Sequence, residues 1–139
     1  MSARTFLDTN VLVYAYDTAE PRKQRIAQEL LAAAPAESLV ISSQVLSEFY
    51  VTVTRKLPEP LSLPDASAAV RQLSTLHVVP VDGELVVTAT EFQQRWQTSY
   101  WDALILAAAS GARSAVLLSE DLADGATLAG VTIENPFVA

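Results

Sequence analysis

The sequence predicts an α/β fold: a short parallel β-sheet with helices on both faces. Two observations predict it. Short apolar runs alternate with longer amphipathic ones along the chain, the pattern of βαβ units whose parallel strands are buried on both sides. The 139 residues are half hydrophobic, with mean hydropathy +0.25, which is enough for one domain with one core. Residues 1–139 are therefore read as a single domain. Four glycines and seven prolines are too few for a disordered or fibrous chain.

Arg4–Asp8 reads as the first strand, and Thr9–Tyr16 as a turn into a short helix. Pro21–Ala34 is predicted helical. Pro21 suits a first turn, and Ile26, Leu30 and Leu31 recur at helical spacing. Ser38–Ile41 is a second strand. Gln44–Leu57 is a helix whose stripe is Val45, Leu46, Phe49, Val53 and Leu57; Pro58-Glu-Pro60 stops it. Pro64–Leu76 is helical, His77–Val81 a strand and Gly83–Trp96 a helix. Tyr100–Ser110 is a helix expected to end on Gly111 as a left-handed cap. Ala115–Leu118 and Gly130–Glu134 complete the strands.

Composition excludes several kinds of chemistry. With no cysteine there is no disulfide, thiolate metal site or thiol nucleophile. Asp8 interrupts the N-terminus before an apolar signal could form, and no run approaches the ~18 apolar residues of a membrane span. The chain is expected to be soluble and cytoplasmic, with no membrane partner. A net charge of −7 argues against nucleic acid. Four acids committed to one divalent metal site would leave about −3 elsewhere, which weakens that objection without removing it.

Ligands of open α/β sheets bind beyond the carboxyl ends of the strands. Asp8 follows Phe6-Leu7, and Asp121 follows Val116-Leu117-Leu118 by three residues. Each alone reads more plainly as a turn or cap residue. Asp102 is more informative. Trp101–Ala109 is apolar on every face, which marks a buried helix, and Asp102 is its one polar side chain. A carboxylate there either caps its own helix, where the dipole favours an anion, or meets a cation, because an unpaired buried charge is costly. Glu48 falls roughly 120° from the centre of its helix's apolar stripe, at the border of the buried face. An ordinary solvated glutamate is the plainer reading of that position. Together the four supply oxygen ligands only, which suits Mg²⁺ or Mn²⁺ and argues against zinc. Without a cation they would repel one another.

Four segments then resemble one family. Phe6-Leu-Asp-Thr-Asn-Val-Leu-Val-Tyr14 is similar to the opening motif of PIN domains. Ser42–Tyr50 resembles their second acidic motif and Tyr100–Ala108 their third. Leu117-Leu-Ser-Glu-Asp121, with Asp124-Gly and Asn135-Pro-Phe137, resembles the tail of VapC-type toxins. The resemblance covers nearly the whole chain. It implies that Asp8, Glu48, Asp102 and Asp121 are the catalytic, metal-holding quartet. Asn10 would orient the first acid, and Ser119 would fill the hydroxyl position two before the last. Glu120 and Asp124 lie near enough in sequence to replace Asp121. The implied activity is Mg²⁺- or Mn²⁺-dependent endoribonuclease, hydrolysing RNA phosphodiester bonds by metal-activated water and leaving a 5′ phosphate and a 3′ hydroxyl. The implied partners are a VapB-type antitoxin and a second copy of the chain in a homodimer. The rival reading is a catalytically silent PIN fold kept for protein binding.

Other residues carry less. Arg22, Lys23 and Arg25 suit RNA phosphates, an acidic inhibitor tail or a solvated face. Trp96, Tyr100 and Trp101 are expected in core or interface packing ahead of base stacking. His77 reads as structural. Val51, Leu61 and Leu63 are candidate interface residues. A haloacid-dehalogenase-like phosphatase would want an acid where Asn10 stands. A receiver domain would want a late lysine, yet only Lys23 and Lys56 exist. The P-loop motif is absent.

Overall fold

The computed structural model describes residues 3–138. Met1, Ser2 and Ala139, which the single-domain reading includes, lie outside the described residues. The elements run β1 (Arg4–Leu7), α1 (Thr9–Tyr14), α2 (Pro21–Ala33), β2 (Leu39–Ser42), α3 (Ser43–Arg55), α4 (Leu63–Leu73), β3 (His77–Val79), α5 (Gly83–Trp96), α6 (Tyr100–Gly111), β4 (Ser114–Leu118), β5 (Thr127–Leu128) and β6 (Val131–Glu134).

They form one six-stranded sheet in the order β3-β2-β1-β4-β6-β5. Every neighbouring pair is parallel except β5 with β6. The connections β1→β2 and β2→β3 step one way, and β3→β4 steps back past both. Right-handed crossovers therefore place α1–α4 on one face and α5–α6 on the other. The strand order reverses between β1 and β4, so their carboxyl ends open a crevice there.

Local chemistry sets the helix starts. Ser42 ends β2 and caps α3, its Oγ accepting from Val45 N at 3.2 Å. Ser62, Asp82 and Ser99 cap α4, α5 and α6 in the same way. The core is built on Phe6, Leu7, Leu12, Val40, Ile41, Phe49, Leu106 and Leu117, all buried. Residues 103–109 of α6 are buried without a break. Ala89 of α5 and Ala103 and Ala107 of α6 are small enough for the two helices to lie close.

Three local expectations need correction. Gly111 is the last residue of α6 and not its left-handed cap; that conformation falls to Arg113, at φ 57°. The β5 strand was not expected: it is two residues long and antiparallel. Its turn is Ala129-Gly130, both at positive φ, without the Asn-Gly or Asp-Gly signal that usually marks such hairpins. Strand β3 stops at Val79 because Pro80 has no N–H to pair.

Candidate active site

Each acid reaches the crevice from its own element. Asp8 directly follows β1, and its backbone N–H donates to Leu118 O at 3.0 Å, continuing the β1–β4 pairing. Its side chain is 7% exposed. Oδ1 accepts from Thr9 N at 2.7 Å and Oδ2 from Ser119 Oγ at 2.8 Å. Burial pushes its pKa from 3.8 up to about 6, against the lowering pull of the Ser119 and Thr9 bonds; Asp121 and Asp102 push it further up.

Glu48 lies on α3, half-buried as its angular position suggested. Its Oε1 accepts from Thr9 Oγ1 at 3.0 Å and from Gln44 Nε2 at 3.3 Å. Asp102 is at the third position of α6. Ser99 caps that helix, so Asp102 is not the cap. Among the described residues its carboxylate accepts no hydrogen bond, and it borders the cavity. Asp121 follows β4, and Asn10 Nδ2 donates to its Oδ2 at 2.8 Å. Burial raises its pKa, with Glu120 and Asp102 adding to the rise.

All four acids line one cavity of about 420 Å³, together with Thr9, Asn10 and Gln44. Asn10 does not orient the first acid as expected. Successive helix residues turn by about 100°; Thr9 thus faces Glu48 while Asn10 faces Asp121, and Asp8 is oriented by Ser119. Glu120 does not take Asp121's place at the cavity. It pairs with Lys23 Nζ at 2.6 Å and accepts from Tyr14 Oη at 2.6 Å. Asp124 accepts from Asn135 N at 2.9 Å. His77 is exposed on the edge strand, apart from the cavity lining.

The sequence reading passed over Thr9 and Gln44. Gln44 was legible in principle, four residues before Glu48 on one helix face. Thr9 was hidden because its role is to bond a residue 39 positions away.

The donor set suits a hard divalent cation. It holds carboxylate oxygens and no nitrogen or sulfur, and like charges face one another. Gln44 Oε1, in the same wall, is buried without a hydrogen-bond partner. Among the described residues, however, no three acidic or imidazole side chains are gathered closely enough to hold an ion as they stand.

The family model for the PIN domain matches residues 5–123. The chain belongs to the PIN-domain family. Solved structures similar to this PIN domain include a toxin–antitoxin complex from Klebsiella pneumoniae (23% identity, TM-score 0.71, covering 95% of this chain and 97% of that one). VapC20 from Mycobacterium tuberculosis, described as a sarcin–ricin loop cleaving toxin, is 22% identical (TM-score 0.68, 84% and 89%). A DNA-bound VapBC from Salmonella typhimurium is 18% identical (TM-score 0.66, 97% and 99%). No curated protein sequence matches the chain. Among the described residues, no helix is long and apolar enough to cross a membrane.

Proposed function

We propose that this PIN domain is a divalent-metal-dependent endoribonuclease, the toxin of a toxin–antitoxin pair. One observation carries the proposal. Four acids from four separate elements line one cavity at the point where the sheet reverses its strand order. VapC-type proteins among the structural relatives support the same reading.

Asp8, Glu48, Asp102 and Asp121 would hold Mg²⁺ or Mn²⁺. Bound cations supply charge neutralisation at a phosphodiester and make water more acidic. The chain's own part is orientation. Ser119 Oγ and Thr9 N each occupy one site on an Asp8 oxygen, leaving a second lone pair on each. Thr9 Oγ1 holds Glu48 and Asn10 Nδ2 holds Asp121. Asp102 is free to turn into the cavity.

The partners proposed are an RNA substrate, a VapB-type antitoxin and a second copy of the chain. Val51 (44% exposed) and Leu63 (61%) remain available as apolar contact residues. Leu61 does not, because it packs against the core.

A protein-binding role without turnover is favoured by one observation: among the described residues, no three acids stand closely enough to hold an ion as they are. Cleavage of total RNA by the purified chain in Mg²⁺ or Mn²⁺, beside EDTA and beside Asp102→Ala, separates the two readings. Metal-dependent cutting lost in Asp102→Ala is expected. No cutting by folded wild type in either metal would favour the binding role.

A further inference from the structure

Asp8 caps α1, and Glu48 and Asp102 lie on helices; Asp121 stands in the irregular segment between β4 and β5. That segment is nonetheless gripped from outside the cavity. Asn10 and Tyr14 are four residues apart on α1 and therefore share a face. They hold consecutive residues of the loop. Asn10 Nδ2 donates to Asp121 Oδ2 at 2.8 Å, and Tyr14 Oη donates to Glu120 Oε1 at 2.6 Å. The other oxygen of Glu120, Oε2, accepts from Lys23 Nζ at 2.6 Å. Lys23 Nζ also donates to Tyr14 Oη at 3.2 Å, which closes a triangle of bonds. None of Tyr14, Lys23 and Glu120 lines the acid cavity.

Lys23 is placed against the preference of its own helix. It stands with Arg22 in the first turn of α2, which has no acid there and no side-chain cap. A cation in that turn opposes the helix dipole. Both cations instead serve other parts of the chain. Arg22 donates to the Phe137 carbonyl, and the Phe137 ring meets Tyr14 edge-on at 4.9 Å. Asn135 N donates to Asp124 Oδ1 at 2.9 Å. The loop is therefore tied at Glu120, just before Asp121, and again at Asp124, three residues after it. A partly exposed ion pair such as Lys23–Glu120 adds little to folding stability, so its larger consequence is where it holds the loop.

We propose that Tyr14, Lys23 and Glu120 form a clamp that positions Asp121 and so sets how tightly the site holds a divalent cation. The assignment rests on the metal-dependent reading above and adds positioning residues outside the cavity. Like charges that face one another without a cation push apart, and the acid on an irregular loop has the least backbone support against that push. Asn10 fixes the Asp121 carboxylate, and the clamp fixes the chain beside it. A ligand already held in place loses less freedom when the ion arrives, and affinity rises accordingly.

The test is Mn²⁺ calorimetry on the full chain, with RNA cleavage followed against Mn²⁺ concentration beside it. Tyr14→Phe removes one arm of the clamp while keeping the ring and the net charge. It should raise the Mn²⁺ Kd about threefold, and Tyr14→Phe combined with Lys23→Met about tenfold, the low end of what outer partners of a metal's ligands cost. Lys23→Arg keeps the charge and the donors and should bind Mn²⁺ nearly as wild type does. The Mn²⁺ needed for half-maximal cleavage should rise by the same factors, with kcat at saturating Mn²⁺ falling much less. A lower melting temperature with Kd unchanged in both Tyr14→Phe and the double variant would overturn the clamp and leave the metal reading standing. Tighter Mn²⁺ binding in the double variant would overturn it too, by showing the freed Glu120 as an added ligand. A fall in kcat at saturating Mn²⁺ with Kd unchanged would equally sink it. Absence of Mn²⁺ binding by folded wild type would sink both the clamp and the reading beneath it.

Discussion

Glu120 and Asp121 are neighbours in the chain, and their surroundings drive them in opposite directions. Burial pushes both carboxyl pKa values up. At Glu120 the bonds from Lys23 and Tyr14, with the ammonium's charge, outweigh burial and hold the group below its ordinary value. At Asp121 the nearby charges are Glu120 and Asp102, both negative, and the value rises. The Lys23 ammonium also lies 4.7 Å from the Tyr14 ring centroid and 5.9 Å from that of Phe137. Beside it, Arg22 donates to Phe137 O. One side of this loop is a closed, self-satisfied cluster joining α2 to the chain's end. The other side is a set of carboxylates that form no ion pair among the described residues. A protein that needed only stability would pair both. Leaving one side unpaired next to a fully paired one is what a cation site of the proposed kind would require.

Breaking the open side should have the largest effect. Removing an acid such as Asp102 should lower RNA cleavage more than about 100-fold, since even partners that merely orient a metal's ligands cost 10–100-fold. Ser119→Ala belongs to that smaller range. It deletes the donor to Asp8 Oδ2 and should reduce Mn²⁺ affinity, read by calorimetry, about 10- to 100-fold while the fold persists.

Asp8→Asn sharpens the comparison through stability. The Asp8 carboxyl is raised from 3.8 to about 6 in the folded protein. Between those values the folded chain binds more protons than the unfolded one, so its contribution to stability falls as pH rises through that window. At neutral pH the metal-free protein carries a penalty on the order of 2–3 kcal/mol. Asn removes the charge and its Oδ1 can keep the bond from Thr9 N; the Ser119 bond is lost, at a cost of about 1 kcal/mol, because Ser119 Oγ already accepts from Asp121 N and Leu122 N. Metal-free Asp8→Asn should therefore melt higher than wild type at pH 7, with the advantage shrinking towards pH 4. A lower melting temperature at both pH values would mean that Asp8 is held chiefly for structure.

The closed side should give the smallest effect. Lys23→Met removes a partly exposed pair and should cost about 0.5–1 kcal/mol in urea unfolding. Its cleavage should fall far less than that of any of the four acids. A loss as large as that of Asp102→Ala would show that the two sides of the loop are not separable.

Much of the fold was legible because burial repeats in the sequence. The unbroken apolar run of 103–109 does lie buried as α6, and the apolar stripe of α3 packs Val45, Phe49 and Val53 into the core. Elements held by tertiary contact alone were not legible. Strand β5 pairs Thr127 with Thr132 and Leu128 with Val131, too short a stretch to show a period. Within the candidate site, the four acids could be placed by strand ends and helix faces. Which donor serves which acid could not, because Thr9 to Glu48, Asn10 to Asp121 and Ser119 to Asp8 all bridge distant parts of the chain. Lys23 and Arg22, which composition offered as phosphate contacts, are occupied internally.

The central claim is that the four acids act together as one cation site. Thermal melting of the wild-type chain against rising Mn²⁺, beside Asp102→Asn, tests it most directly. The account predicts a saturable rise in wild-type melting temperature, equivalent to about 2.7 kcal/mol at 100 times Kd, that Asp102→Asn largely abolishes. An identical response in the two proteins, or none in either, would contradict it.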